Sequence, residues 1–176
     1  MALKLGTYLP QSWSWDPQGS LVDAARVAEE IGYDSVWGME RVLCAMDQTG
    51  EHQLIGYGDG SWPAIYRLVV DPIVALSMAA ARSVPPGPVT RLDRGGRVVA
   101  GLGSGWSVDE FAATAPRPIA ERGAALGEFL DMAVALWEPD PVSFKNERST
   151  VYPAEVGPKP AEPIPVLLGA ESAVCL

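Results

Sequence analysis

Arg97-Val98-Val99-Ala100-Gly101-Leu102-Gly103-Ser104-Gly105-Trp106-Ser107-Val108-Asp109-Glu110-Phe111 reads as a strand, a glycine turn and the start of a helix. The apolar, β-branched run ends in Gly101, Gly103 and Gly105, residues that permit a tight turn and let a backbone approach a ligand closely. Ser107 followed by Glu110 forms a capping box that begins a helix. A helix N-terminus just beyond the carboxyl end of a strand is suited to an anion or a cofactor. The same pattern also serves a turn that binds nothing.

Two familiar motifs fail on this stretch. Trp106 stands where the third glycine of a dinucleotide fingerprint would follow Gly101 and Gly103, which excludes a Rossmann reading. Leu102 and Trp106 occupy the glycine positions of a nucleophile elbow around Ser104, so Ser104 reads as a turn residue.

The chain has 176 residues, 48% hydrophobic and 20% charged, the composition of one globular domain. Its formal charge of -9 and its lack of clustered Lys and Arg argue against nucleic acid as a partner and for a small molecule. No long apolar run and no signal-peptide pattern occur, so no membrane association and a cytoplasmic location are expected. Cys44 and Cys175 belong to no Cys-x-x-Cys motif and read as free thiols. A lone histidine, His52, excludes multi-histidine metal sites, and no metal is expected; flanked by Gly50, Gly56, Gly58 and Gly60, it sits in a loop.

Outward from the glycine turn, strand and helix signals alternate. Leu3 to Leu9 is an apolar strand closed by Pro10; Ser20 and Asp23 cap a helix with Leu21, Ala24, Ala28 and Ile31 on one face and Gly32 at its end. Asp34 to Gly38 is a second strand, and Glu40 to Val70 a long loop carrying Tyr57, Trp62 and Tyr66. Asp71-Pro72 starts a helix to Arg82 whose buried stripe is expected at Ile73, Leu76 and Ala80. Prolines interrupt the pattern after Arg82, before the strand Arg97 to Gly103. A long helix from Ala120 to Trp137 presents Leu126, Phe129, Leu130, Ala133, Leu136 and Trp137 on one face. Val142 to Phe144 and Thr150 to Tyr152 form a hairpin, and Ile164 to Gly169 is the last strand. Alternation of this kind defines an α/β fold with about four parallel core strands, half a barrel or a small open sheet.

With the elements placed, the chain resembles the luciferase-like monooxygenase family, (β/α)8 enzymes that use reduced FMN or the deazaflavin F420. The resemblance is carried by Leu5-Gly6-Thr7-Tyr8-Leu9-Pro10, by AARVAEEIGYDSVW at 24–37 and by DPIVALSMAAA at 71–81. It is strongest in GGRVVAGLGSGW at 95–106 with Glu110-Phe111, Glu121-Arg122-Gly123 and Trp137, and continues in Pro158-Lys159-Pro160 before Pro165 to Gly169. It implies an incomplete TIM-barrel-like domain over residues 1–176, shortened internally near 83–94 and without the C-terminal barrel units that hold the cofactor phosphate.

The resemblance implies an oxidoreductase or monooxygenase that binds F420 or FMN and a small-molecule substrate, with a homodimer as the family's usual assembly. Residues at the carboxyl ends of the strands become the cofactor candidates: Tyr8, Pro10, Trp37, Gly103, Ser104, Gly105 and Trp106. Glu40, Arg41 and His52 are the candidates for proton transfer, although many relatives carry histidine where Glu40-Arg41 stands. Two other functions stay open: a non-catalytic remnant or self-associating half-barrel, and a small α/β module for phosphorylated ligands.

Overall fold

The computed structural model describes residues 3–12, 17–54, 59–82 and 98–169, with backbone alone at 17–19 and 82. The proline-rich stretch 83–94, Arg97, Gly56, Tyr57, Gly58 and Cys175 lie outside them. Chain contacts separate two units, Met1–Gly87 and Pro88–Leu176.

In the first unit the expected strands narrow to β1, Gly6–Tyr8, and β2, Ser35–Trp37, which pair in parallel with Gly6 opposite Ser35 and Tyr8 opposite Trp37. Asp34 laces their starts together: its Oδ2 accepts from Leu5 N at 2.8 Å, and its own N donates to Leu5 O at 2.8 Å. Helix α1 spans Pro17–Ile31 and begins a turn ahead of the expected cap at Ser20, because proline's fixed φ suits a first helical turn. Its end is the expected one. Tyr33 N donates to Ala28 O at 2.9 Å and Gly32 N to Glu29 O at 3.2 Å, with Gly32 at φ +92°, a Schellman stop that needs glycine.

Helix α2 spans Pro72–Arg82, and Asp71 caps it by accepting from Ile73 N at 2.8 Å and Val74 N at 3.1 Å. Its buried face differs from the expected stripe: Ile73 is 75% exposed, whereas Ala75 is 0% and Ala79 3% exposed. In α1 the stripe is likewise Leu21, Ala25 and Ala28, and Ile31 is exposed. The physical reason is close approach: Leu9, Leu21, Ala25, Ala75 and Ala79 form one cluster, and small side chains let two helices and a strand end meet there. Val36 packs against this cluster. By strand alternation Thr7 shares its face, while Gly6, Tyr8, Ser35 and Trp37 share the opposite one.

In the second unit β3, Ala100–Gly103, pairs in parallel with β6, Val166–Gly169. Helix α3, Val108–Thr114, starts at Ser107, whose Oγ accepts from Glu110 N at 3.3 Å. A 3-10 turn, Ile119–Glu121, leads into α4, Arg122–Trp137, which packs against the antiparallel hairpin of β4, Val142–Lys145, and β5, Thr150–Ala154. On the expected face of α4, Phe129 is half-exposed. Polar ties fix the surroundings: Arg117 forks onto Glu128, Glu121 pairs with Arg148 at 3.1 Å, and Arg122 donates to Ile119 O at 3.2 Å. Lys159 donates to Leu136 O and meets Asp140 Oδ1, each at 2.9 Å, so a distant cation caps the C-terminal end of α4.

Candidate functional site

The carboxyl ends of β1 and β2 are joined by a side chain the sequence did not single out. Gln11 is 1% exposed. Its Nε2 donates to Met39 O at 3.2 Å and Val70 O at 2.8 Å, and its Oε1 accepts from Met39 N at 2.6 Å. Its backbone O accepts from Val70 N at 3.0 Å. One amide thus ties the segment after β2 to the residue before the α2 cap. Gly38 allows this approach, since a β-carbon there would lie 3.1 Å from Pro72 Cβ and 3.3 Å from Gln11 Nε2. A glutamine after Pro10 is a weak sequence signal, and only the topology gives its side chain three backbone partner groups.

Tyr8 is 69% exposed at the end of β1. Beside it, Trp37 is half-buried; its Nε1 donates to Ser35 Oγ at 2.9 Å, and its indole lies over Gly6, where a β-carbon would collide with Trp37 Nε1. Tyr8 and Trp37 are register partners and share the face turned away from the helices. Pro10 is half-buried where the chain leaves β1.

Arg41 is half-buried, with its guanidinium carbon 5.1 Å from the Trp62 ring centroid and 5.7 Å from that of Tyr66. Trp62 is 4% exposed and held at both nitrogens: N donates to Gln48 Oε1 at 2.9 Å, and Nε1 to His52 O at 2.8 Å. Tyr66 meets it edge-on at 6.4 Å. The long loop therefore has a fixed frame, which Asp47 and Asp59 reinforce by accepting from Thr49 and Ser61. Those hydrogen bonds hold both carboxyls below the usual aspartate range. A cleft of about 230 Å³ lies between segments 41–43 and 66–69. Of the proton-transfer candidates, Arg41 lines this cleft, Glu40 is exposed, and His52 contributes its carbonyl to the Trp62 anchor. Cys44 is a free thiol whose Sγ accepts from Gln48 Nε2 at 3.7 Å.

In the second unit, the glycines after β3 divide. Among the described residues, no atom beyond its chain neighbours lies within 4 Å of a β-carbon built on Gly103. Gly105 has φ +76° and faces the Phe111 ring, a position set by the turn. Ser104 is half-buried, and Trp106 is partly exposed beside the Ser107 cap.

Strands paired in parallel and alternating with capped helices define a portion of a (β/α)-barrel fold. The model of the luciferase-like monooxygenase family matches residues 94–176 of the chain. An uncharacterized protein of Mycobacterium tuberculosis strain H37Rv is 31% identical over 169 residues, covering 84% of this chain and 59% of that protein. An F420-dependent glucose-6-phosphate dehydrogenase of Amycolatopsis mediterranei is 28% identical over 184 residues, covering 96% of this chain and 52% of that enzyme. The fold matches an F420-dependent secondary alcohol dehydrogenase, solved with an F420-acetone adduct, at a TM-score of 0.67 and 20% identity over 96% of this chain and 52% of that one. The chain spans about half the length of the curated relatives it matches. Among the described residues no helix is long and apolar enough to cross a membrane.

Proposed function

We propose that this chain carries the cofactor-binding strand ends of an F420-dependent oxidoreductase acting on a small molecule. The carrying observation is the similarity over 96% of the chain to an enzyme named for F420 dependence. F420, rather than FMN, is the cofactor of this reading because the relatives named for a cofactor are named for F420.

The residues present suit a planar ring system. In the second unit, among the described residues, no atom beyond its chain neighbours comes within 4 Å of a β-carbon on Gly103; in the first, the exposed Tyr8 with Trp37 supplies an apolar face at the ends of β1 and β2. By the family resemblance, Tyr8, Pro10 and Trp37 in the first unit, and Gly103, Ser104, Gly105 and Trp106 in the second, are the candidates for holding F420. When bound, F420 supplies the hydride chemistry, and the protein's part is to orient it and exclude water. Glu40, Arg41 and His52 remain the candidates for holding or moving a proton. Residues 1–176 are read as successive parts of one luciferase-like domain. A homodimer and a cytoplasmic setting belong to the same proposal and rest on the family resemblance.

The test is a fluorescence titration of F420 with the full chain, with FMN in parallel. Saturable binding of F420 in preference to FMN is expected. Absence of F420 binding, or preference for FMN, overturns the reading.

A further inference from the structure

We propose that Gln11 is a positioning residue of the cofactor site: its side-chain amide stands in for a peptide group, continues the β1–β2 ladder past Pro10 and thereby fixes the Tyr8–Trp37 face. The inference rests on the F420 reading of that face and adds a residue that acts on it through the backbone.

The register supplies the first ground. Tyr8 pairs with Trp37, so Leu9 comes opposite Gly38, and a regular parallel ladder would have Leu9 N donate to Trp37 O and Met39 N to Leu9 O. The first of these bonds is present at 2.8 Å. In place of the second, Leu9 O accepts from Gln11 N at 2.9 Å and Met39 N donates to Gln11 Oε1 at 2.6 Å. The chain leaves the sheet in a three-residue turn centred on Pro10, whose fixed φ suits it, and the side chain of the next residue takes up the rung.

The fit of the amide is the second. An amide side chain carries the donor and the acceptor of a peptide group, which the rung requires. Gln11 is 1% exposed, and its Nε2 is occupied as well, donating to Val70 O at 2.8 Å and Met39 O at 3.2 Å. A β-carbon on Gly38 would stand 3.3 Å from both Nε2 and Oε1, so the glycine leaves the amide its place against the strand end.

The position of Trp37 is the third. It is the last residue of β2, its O is held by Leu9 N, and the next bonded N–H along the ladder, that of Met39, is held by Gln11. A strand end that loses its last rung frays. The amide therefore governs how the indole, tied to Ser35 Oγ and laid over Gly6, stands beside Tyr8.

The experiment uses the full chain and two readouts. Without cofactor, the indole Nε1–H signal of Trp37 in NMR, assigned with Trp37→Phe, reports the setting of the ring. With F420, a fluorescence titration gives the Kd and the fluorescence of the saturated complex. Gln11→Leu is expected to shift the Trp37 signal, raise the Kd about tenfold or more and change the saturated fluorescence. Gln11→Asn, whose amide is one methylene too short to reach Met39 and Val70 together, is expected to move the same readouts in the same direction, and it carries the test if Gln11→Leu does not fold. Gly32→Ala, strained at φ +92° beyond α1, lowers stability away from the strand carboxyl ends and is expected to leave all three at wild-type values. A Trp37 signal and saturated fluorescence unchanged in both Gln11 variants, or changed equally in Gly32→Ala, overturn the proposal. Wild type that binds no F420 overturns the F420 reading and with it the role given to Gln11. Wild-type binding with an unchanged Kd in the Gln11 variants overturns this inference alone.

Discussion

Gly105 and Phe111 are matched to each other across the turn after β3: a β-carbon on Gly105 would stand 2.7 Å from Phe111 Cε2, and the glycine holds φ +76°. Both the backbone and the ring exclude a side chain. Gly105→Ala is therefore expected to destabilise the protein by about 1 kcal/mol or more. Adding Phe111→Ala would relieve the contact but not the φ cost, so the double variant stays less stable than Phe111→Ala alone. Urea unfolding of the four proteins checks this; an unchanged midpoint for Gly105→Ala contradicts it.

Removing the Gln11 amide leaves the partly buried Met39 N–H and the Met39 and Val70 carbonyls without this partner. Gln11→Leu keeps much of the volume and is expected to cost about 1–3 kcal/mol in all, since water can reach the partly buried groups. Hydrogen exchange at Met39 gives the local readout, because its N–H should lose protection. Retained protection and stability would show that the clamp is not needed.

Asp71 supplies two acceptor bonds at the start of α2. Asp71→Ala is expected to lower stability by about 1 kcal/mol, and Asp71→Asn or Asp71→Ser to restore most of it. Equal midpoints for Asp71→Ala and wild type in urea would contradict the cap.

The second unit should weaken in acid. Hydrogen bonding to Arg117 holds Glu128 below its ordinary value of 4.5, and hydrogen bonding to Lys159 and then to Val156 N holds Asp140 below 3.8. Each folded-state pKa is depressed, so the associated stability is present above the unfolded value and is lost as pH falls through the folded one. Urea midpoints should fall as pH drops below about 4.5, and the gap between wild type and Arg117→Met should narrow over the same window. A gap that widens in acid reverses the sign and refutes the pairing. Carboxyl titration by NMR should also show Asp140 returning toward its ordinary value in Lys159→Met.

Local grammar was legible where chain neighbours decide the outcome. The Gly32 stop, the Asp71-Pro72 start, the Ser107 cap and the hairpin near Phe144 all rest on contacts within a few residues, and β1–β2 and β3–β6 run parallel as the alternation implied. Packing was less legible. Periodicity gave α2 an apolar stripe through Ile73, but tight packing selects Ala75 and Ala79, which apolarity alone does not distinguish from their larger neighbours. The strand-end placement of candidates such as Tyr8 and Trp37 was legible, and the interactions around them were not. Tyr8 and Trp37 follow from strand ends, whereas the Gln11 clamp and the Lys159 cap join residues 59 and 23 positions apart. Likewise, Arg41 finds Trp62 only after the long loop has folded back.

The central claim is that strand carboxyl ends hold F420, and hydrogen exchange of the full chain with and without F420 measures it directly. Peptides spanning 6–11, 35–41 and 100–106 are expected to gain protection on F420 addition, while the β4–β5 hairpin at 142–154 stays unchanged. Protection absent from all three peptides, or confined to the hairpin, would contradict the account.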